Sequence, residues 1–214
     1  KAILHKNYIN YNLLAKHMQW EFFHEIGRKI IHLTILIVLI IFFAIENQAG
    51  QQAALFFLVA ILLIFLILEY LRLDLHFKLP FFHQFIRPKE EYRVYGVIFF
   101  LSSAIIALAV FDTAIALAAL LMTTFGDMSA AIAGKKYGTT ILFRNKTIVG
   151  FVTELITNLI VGILISVTFG INIYIPIAMA LAATITESMV DELDDNLVVP
   201  LVSGFIGQIL ISAI

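Results

Sequence analysis

Cysteine is absent from the sequence. That excludes disulfides, thiolate metal sites and cysteine nucleophiles, and it leaves the redox compartment unreadable. Charge is scarce: 14% of the 214 residues are charged and 61% are hydrophobic. With a mean hydropathy of +0.99, an ordinary soluble domain is excluded. Lys+Arg number 14 and Asp+Glu 15, a formal net charge of -1. There is no basic excess to hold nucleic acid and no acidic tail, so no nucleic-acid partner is expected. Histidine is missing from the second half of the chain, so a metal site there must use oxygen ligands. Gly134-Lys135 is followed by Lys136 rather than Ser or Thr, which rules out a P-loop. Internal repeats and low-complexity segments are also lacking.

What the chain has instead is long apolar runs. The pattern predicts an all-α, polytopic membrane helix bundle of about seven transmembrane helices: 30–45, 53–71, 94–111, 113–125, 148–169, 176–186 and 197–214. The fourth run is short, and its helix is expected to continue past Asp127 to near Ala133, interrupted only by Gly126. Pro176 and Pro200 suit the first turns of the sixth and seventh spans. Serine and glycine four apart, as at Ser203 and Gly207, let such helices approach closely. Residues 1–25 are read as an interfacial or flexible segment, with Leu14, Met18 and Phe22 on one face, and 26–214 as one transmembrane domain. The chain starts at Lys1, and no small-residue cleavage site follows the first apolar run, which is therefore read as a retained span.

Charge distribution sets the orientation. With the N-terminus in the cytosol, all 14 Lys+Arg fall on the cytosolic side, and the outer turns keep only Glu46 and Asp112 as charges. The expected localisation is an integral membrane protein with its active site on the cytosolic face.

Four polar clusters gather on that face. The stretch Gly126-Asp127 to Gly138, continuing to Lys146-Thr147-Ile148-Val149-Gly150, combines glycines, lysines and a carboxylate at membrane depth. Glycines let backbone N–H groups approach an anion, lysines supply point charges, and an Asp can hold the Mg²⁺ that accompanies a nucleotide. The lysines also fit the ordinary basic character of cytosolic loops, whereas Asp127 needs a partner at that depth. Glu25, Arg28, Lys29 and His32 share one helical face at the mouth of the first span. Glu69 and Arg72 form an i, i+3 pair closing the second span, followed by Arg87-Pro88-Lys89-Glu90-Glu91. The last cluster, 187–196, carries five carboxylates and no cation. On a helix Glu187, Asp191 and Asp195 would stack at four-residue spacing, which calls for a metal among them, and oxygen ligands point to Mg²⁺. Glu154, about two turns into the fifth span, stands apart from these clusters.

Together Arg28-Lys29-x-x-His32, Gly-Asp-x-x-Ala-x-x-x-Gly-Lys-Lys-Tyr-Gly at 126–138, Lys-Thr-x-x-Gly at 146–150 and Asp194-Asp195-Asn196-Leu197 resemble the CTP-dependent polyprenol kinase family. That family includes dolichol kinase, phytol kinase and CTP-dependent diacylglycerol kinases. The resemblance covers roughly 25–205 and implies transfer of the γ-phosphate of CTP to a lipid alcohol with Mg²⁺, within the membrane lipids. It implies metal binding by Asp127, Glu187, Asp191, Asp194 and Asp195. Nucleotide binding would fall to Gly134, Lys135, Lys136, Gly138, Lys146, Thr147, Gly150 and Asn196. Catalytic work would fall to Asp127, Arg28, Lys29, His32, Glu69 and Arg72, with Arg87 and Glu90 nearby. Relatives often carry an acidic residue just before the glycine of the Lys-Thr motif, and here that position is Val149.

Two other classes fit the sequence less well. A lipid cytidylyltransferase shares the central Asp and the Lys-Thr-x-x-Gly pattern, but must hold an additional anionic lipid phosphate, and 187–196 offers only acids. A transporter or silent membrane partner would line both halves of the bilayer with polar groups, whereas here they crowd one face. A monomer and a homodimer both fit the sequence.

Overall fold

The computed structural model describes residues 34–74, 94–143, 146–190 and 193–213. They form seven helices and one short ribbon: α1 Thr34–Ala49, α2 Gln51–Leu73, α3 Gly96–Val110, α4 Thr113–Tyr137, β1 Ile141–Phe143, β2 Lys146–Thr147, α5 Ile148–Phe169, α6 Tyr174–Met189 and α7 Asp195–Ala213. Helices α2, α4, α5 and α7 have the length and hydropathy of membrane spans, while α1, α3 and α6 are apolar but shorter. The all-helical membrane bundle read from the sequence is the fold observed.

Helix α4 is the axis. Ala116 and Leu120 join one core with Leu39, Phe42, Leu58 and Phe100 of α1–α3, while Ile115, Ala118 and Met122 join a second with Val161, Met179 and Val199 of α5–α7. A helix walled on every side needs small residues to admit its neighbours, which explains the alanine-rich run from Thr113. Close approach recurs along its length. A Cβ on Gly207 of α7 would strike Met179 and stand 3.0 Å from Ile115 Cγ2, and one on Gly162 of α5 would meet Met122 Cε at 3.1 Å.

Several boundaries differ from expectation, α6 among them, which runs from Tyr174 to Met189 rather than over 176–186. Helix α4 runs to Tyr137, not Ala133, because Gly134 and Gly138 continue the backbone ladder, Gly138 N–H donating to Gly134 O at 2.9 Å. The stretch after it closes into the β1–β2 ribbon, with Ile141 opposite Thr147 and Phe143 opposite Lys146. Helix α7 begins two residues early, so Pro200 lies past the first turn rather than in it. Asp194 supplies the reason: its carboxylate accepts the Asn196 N–H at 3.0 Å and its carbonyl accepts the Leu197 N–H at 3.0 Å, capping the helix upstream. Pro200 has no N–H for the Asn196 carbonyl. That carbonyl accepts instead from Ser103 Oγ of α3 at 2.8 Å, so the ladder defect becomes a tie between two helices.

The two ends of the bundle differ in charge. One carries Asp112, whose N–H donates to Gln208 Oε1 at 2.7 Å while Gln208 Nε2 returns a bond to Asp112 Oδ2 at 2.9 Å. The other carries Arg72, Lys135, Lys136 and Lys146, the Lys and Arg residues among those described.

Candidate metal and phosphate site

At the cationic end, Asp127 of α4, Glu187 of α6 and Asp195 of α7 converge, with one carboxylate oxygen from each lying within 4.8 Å of the others. Three separate helices supply them, so the cluster is a product of packing. The sequence-based stack of Glu187, Asp191 and Asp195 along one helix is corrected here: α6 stops at Met189 and α7 starts at Asp195. A continuous helix would have set like charges one turn apart. Asp191 lies outside the described residues.

Lys146 enters the cluster from the ribbon. Its Nζ donates to Glu187 Oε1 at 2.7 Å, and Glu187 is 1% exposed. Burial alone would lower the Lys146 pKa, but the carboxylates of Glu187, Asp127 and Asp195 outweigh it and hold the ammonium above the ordinary lysine range. Thr147, next in the chain, is the N-cap of α5 and accepts the Gly150 N–H at 3.1 Å. Gly134 and Gly150 mark where α4 and α5 cross: a Cβ on Gly134 would stand 3.6 Å from Gly150 Cα and 3.0 Å from Thr147 Oγ1. These glycines thus let the two backbones meet and deliver Lys146 to Glu187. Lys135 and Lys136 sit on the exposed last turn of α4, the Lys136 ammonium over the Tyr137 ring at 5.1 Å.

Asp194 and Asn196 steady Asp195 between them. Asn196 Nδ2 donates to Asp194 Oδ1 at 2.8 Å and to Asp195 Oδ1 at 3.2 Å. Asn196 also lies against Gly96, where a Cβ would be 2.8 Å from Nδ2. One residue earlier, the Tyr95 N–H donates to Glu69 Oε1 at 3.1 Å, and Arg72 Nε donates to Glu69 Oε2 at 2.9 Å while its Cζ stands 4.1 Å over the Tyr95 ring. Glu69 and Arg72 therefore clamp the end of α2 onto the start of α3, which in turn packs on the start of α7. Arg28, Lys29, His32, Arg87 and Glu90 lie outside the described residues.

Two residues of α5 that were not grouped with the site belong beside it. Glu154, 3% exposed, lies close enough to Glu187, Lys146 and Asp127 for their charges to act on it. One turn deeper, Asn158 is 1% exposed. Its Nδ2 donates to Thr184 Oγ1 at 3.0 Å, and its Oδ1 has no hydrogen-bond partner among the described residues. That oxygen faces Gly126, the residue before Asp127. An ionisable residue inside a span is the signal that marks Glu154; Asn158 offers no comparable signal.

Among the described residues, the carboxyl groups of Asp127, Glu154, Glu187 and Asp195 thus gather around the Lys146 ammonium. Carboxylates this close repel unless a cation or proton stands among them. The donors are hard oxygens, the set suited to Mg²⁺. Around such an ion at about 2.1 Å, ligand oxygens stand roughly 3 to 4 Å apart, and here the three oxygens lie within 4.8 Å of one another. The residues present fit a divalent cation held by Asp127, Glu187 and Asp195.

CTP-dependent diacylglycerol kinase 1 of Saccharomyces cerevisiae is 27% identical over 139 residues, which covers 60% of this chain and 46% of the relative. The chain therefore spans less than half the length of that curated relative. No solved structure matches the chain. The cytidylyltransferase family pattern matches residues 12–191, most of the sequence and a stretch that includes Asp127, Lys146, Glu154 and Glu187. This bears out the resemblance carried by the motifs: the chain belongs to the cytidylyltransferase family and is similar to a CTP-dependent diacylglycerol kinase.

Proposed function

We propose that the protein is an integral-membrane lipid kinase that transfers the γ-phosphate of CTP to a lipid alcohol, such as diacylglycerol, a polyprenol or a phytol-like prenol, with Mg²⁺. The observation that carries this reading is the cluster of Asp127, Glu187 and Asp195 with Lys146 bonded to it, at the cationic end of an apolar bundle. Phosphoryl transfer asks a protein mainly for positioning and charge neutralisation. A divalent cation held by these carboxylates would offset the charge of the triphosphate. Lys146, Lys135 and Lys136, with Thr147 and Asn196 nearby, would orient the phosphates. In the reaction the acceptor oxygen bonds to the γ-phosphorus, the bond from that phosphorus to the β–γ bridging oxygen breaks, CDP leaves and the hydroxyl proton is released.

Topology follows from the same end of the molecule. The described lysines and arginine lie at the site end and Asp112 at the other, which supports seven crossings with a cytosolic N-terminus and a cytosolic active site. The family description favours a second reading, a cytidylyltransferase that attacks the α-phosphorus with a phosphorylated lipid. Its acceptor would bring a further phosphate to a centre where, among the described residues, the carboxyl groups of Asp127, Glu154, Glu187 and Asp195 already gather, so a neutral alcohol fits better.

The discriminating experiment incubates purified protein and Mg²⁺ with a pool of diacylglycerol, long-chain prenols and phosphatidate, using α- or γ-labelled CTP. Lipid labelled only from γ-labelled CTP is expected. Lipid labelled only from α-labelled CTP would overturn the kinase reading, and the absence of both label and CTP binding would overturn both enzymatic readings.

A further inference from the structure

We propose that Asn158 is a positioning residue for the acidic cluster, a strut that fixes the spacing between the helices carrying Asp127 and Glu187 and so fits the site to a small divalent cation. The inference rests on the reading of Asp127, Glu187 and Asp195 as cation ligands, and not on the acceptor or on which phosphorus is attacked. Asn158 touches the two helices just beneath those ligands. On one side its amide fills the notch left by Gly126 of α4, where a Cβ would lie 2.5 Å from Oδ1 and 3.1 Å from Nδ2, and Gly126 is the residue before Asp127. On the other side Nδ2 donates to Thr184 Oγ1 of α6 at 3.0 Å. Thr184 stands three residues before Glu187, about 4.5 Å along the helix axis. One planar amide therefore spans from α4 to α6 at the level where each helix is about to present its carboxylate. The third ligand, Asp195, is steadied in the same way by the amide of Asn196.

Packing alone does not call for asparagine at this place. Both Asn158 and Thr184 are buried, and the Asn158 Oδ1 has no hydrogen-bond partner among the described residues. A buried carboxamide with an unmet acceptor is costly, and the weak Cα–H donors found where helices touch offset little of that cost. Leucine has nearly the same volume and would avoid it. What the amide adds is a fixed position, because its Nδ2 is pinned by Thr184 while its other edge is stopped by the Gly126 backbone. It also adds no charge to a cluster already rich in carboxylates.

The helices on either side leave the strut little slack. Toward the site, a Cβ on Gly134 of α4 would stand 3.6 Å from Gly150 Cα of α5; toward the other end, one on Gly162 of α5 would meet Met122 Cε of α4 at 3.1 Å and Pro176 Cβ of α6 at 3.0 Å. Helix α5 is thus held close to both neighbours, with Asn158 between these crossings. The consequence is a choice of ion size. Mg²⁺ takes its oxygens at about 2.1 Å and Ca²⁺ at about 2.4 Å, so ligands carried on helices that cannot separate favour the smaller ion, and a spread of a few tenths of an ångström admits the larger one.

Binding of the metal alone tests this without turnover. The full chain in detergent is titrated with Mn²⁺, free Mn²⁺ being read by electron paramagnetic resonance, and bound Mn²⁺ is then displaced with Mg²⁺ or with Ca²⁺. Wild type should release Mn²⁺ to Mg²⁺ at a lower concentration than to Ca²⁺. Asn158→Leu, which keeps the volume and removes the amide, should weaken Mn²⁺ binding about tenfold, the lower end of what a metal site loses with a supporting group, and should narrow or reverse the order of the two competitors. Thr184→Val should do the same by removing the acceptor, which keeps the test open if Asn158→Leu does not fold. Thr184→Ser retains the hydroxyl and should keep wild-type values. Wild-type affinity and competitor order in both Asn158→Leu and Thr184→Val would overturn the strut. A weakening that leaves the competitor order unchanged would overturn it as well, because a destabilised fold penalises both ions alike. Wild-type protein that binds no Mn²⁺ would overturn the cation reading and the strut with it, a failure distinct from the other two.

Discussion

Lys146 and Glu187 stand 41 residues apart in sequence and meet in an ion pair of 2.7 Å, the lysine half-exposed and the glutamate sealed. Each partner has a different reason to need the other. Glu187, with Asp127 and Asp195 at its side, lacks another described ammonium at this distance, and Lys146 fastens the ribbon to the bundle. Because the carboxylates hold the lysine above its ordinary range, the pair contributes fully below that range, about 10.4, and is lost only as pH rises beyond it. Lys146→Met should lower the midpoint of thermal unfolding in detergent at neutral pH, whereas the wild-type midpoint should not fall between pH 7 and 9 on account of this pair. A variant as stable as wild type would show that the pair holds nothing.

Asp127 is half-buried on α4, and Asp127→Asn changes its charge with little change in shape. Asp127→Asn should leave the helical circular dichroism intact and reduce turnover by a factor of 10³ or more, on the order expected when a cation at the phosphates is lost. Asp195→Asn, at the first turn of α7 and backed by Asn196, should instead raise the Mg²⁺ concentration needed for half-maximal rate. Wild-type turnover in Asp127→Asn would remove the centre of the site.

Much of this was legible beforehand because membrane spans announce themselves by composition alone. The runs 53–71 and 148–169 predict α2 and α5 almost to their ends. The cation-bearing end and the Asp127 and Lys146 motifs could likewise be read, since backbone glycines and charges near a span have few other uses. What could not be read was anything decided by one helix meeting another. Glu187 and Asp195 come together across two helices rather than along one, and Glu154 and Asn158 reach the site because α5 crosses α4 at Gly150 and Gly134. The early start of α7 depends on a cap at Asp194 and on a serine of α3, neither of which leaves a trace in hydropathy.

The contact between Gly126 and Asn158 gives a test that needs no assay of activity. A Cβ at position 126 would lie 2.5 Å from Asn158 Oδ1 and 3.1 Å from its Nδ2, and Asn158 is fixed by its bond to Thr184. Gly126→Ala should therefore destabilise the fold by about 1 to 3 kcal/mol, the usual cost of overpacking. Truncating the obstacle should restore most of the loss, so Gly126→Ala with Asn158→Ala should unfold at a higher denaturant concentration than Gly126→Ala alone. Strictly additive losses would show that the two positions are not coupled.

Orientation in the membrane can be checked with unusual economy, because the natural chain has no cysteine and one introduced thiol reports alone. Gln52 is exposed at the start of α2, beside Gln51, whose Nε2 is engaged with the Leu108 carbonyl at 2.9 Å; Tyr137 is exposed at the end of α4. The first lies with Asp112 and Gln208 at one end, the second with Lys135 and Lys136 at the end that holds the acidic cluster. A cationic end facing the cytosol requires that Gln52→Cys and Tyr137→Cys react with a membrane-impermeant maleimide from opposite sides of sealed vesicles, Tyr137→Cys from the cytosolic side. The dependence on sidedness is the informative part, since both thiols should react once the vesicles are opened with detergent. Labelling of both from one side before detergent would place the acidic cluster and the outer turns on the same face, and would sink the cytosolic placement of the site together with the topology.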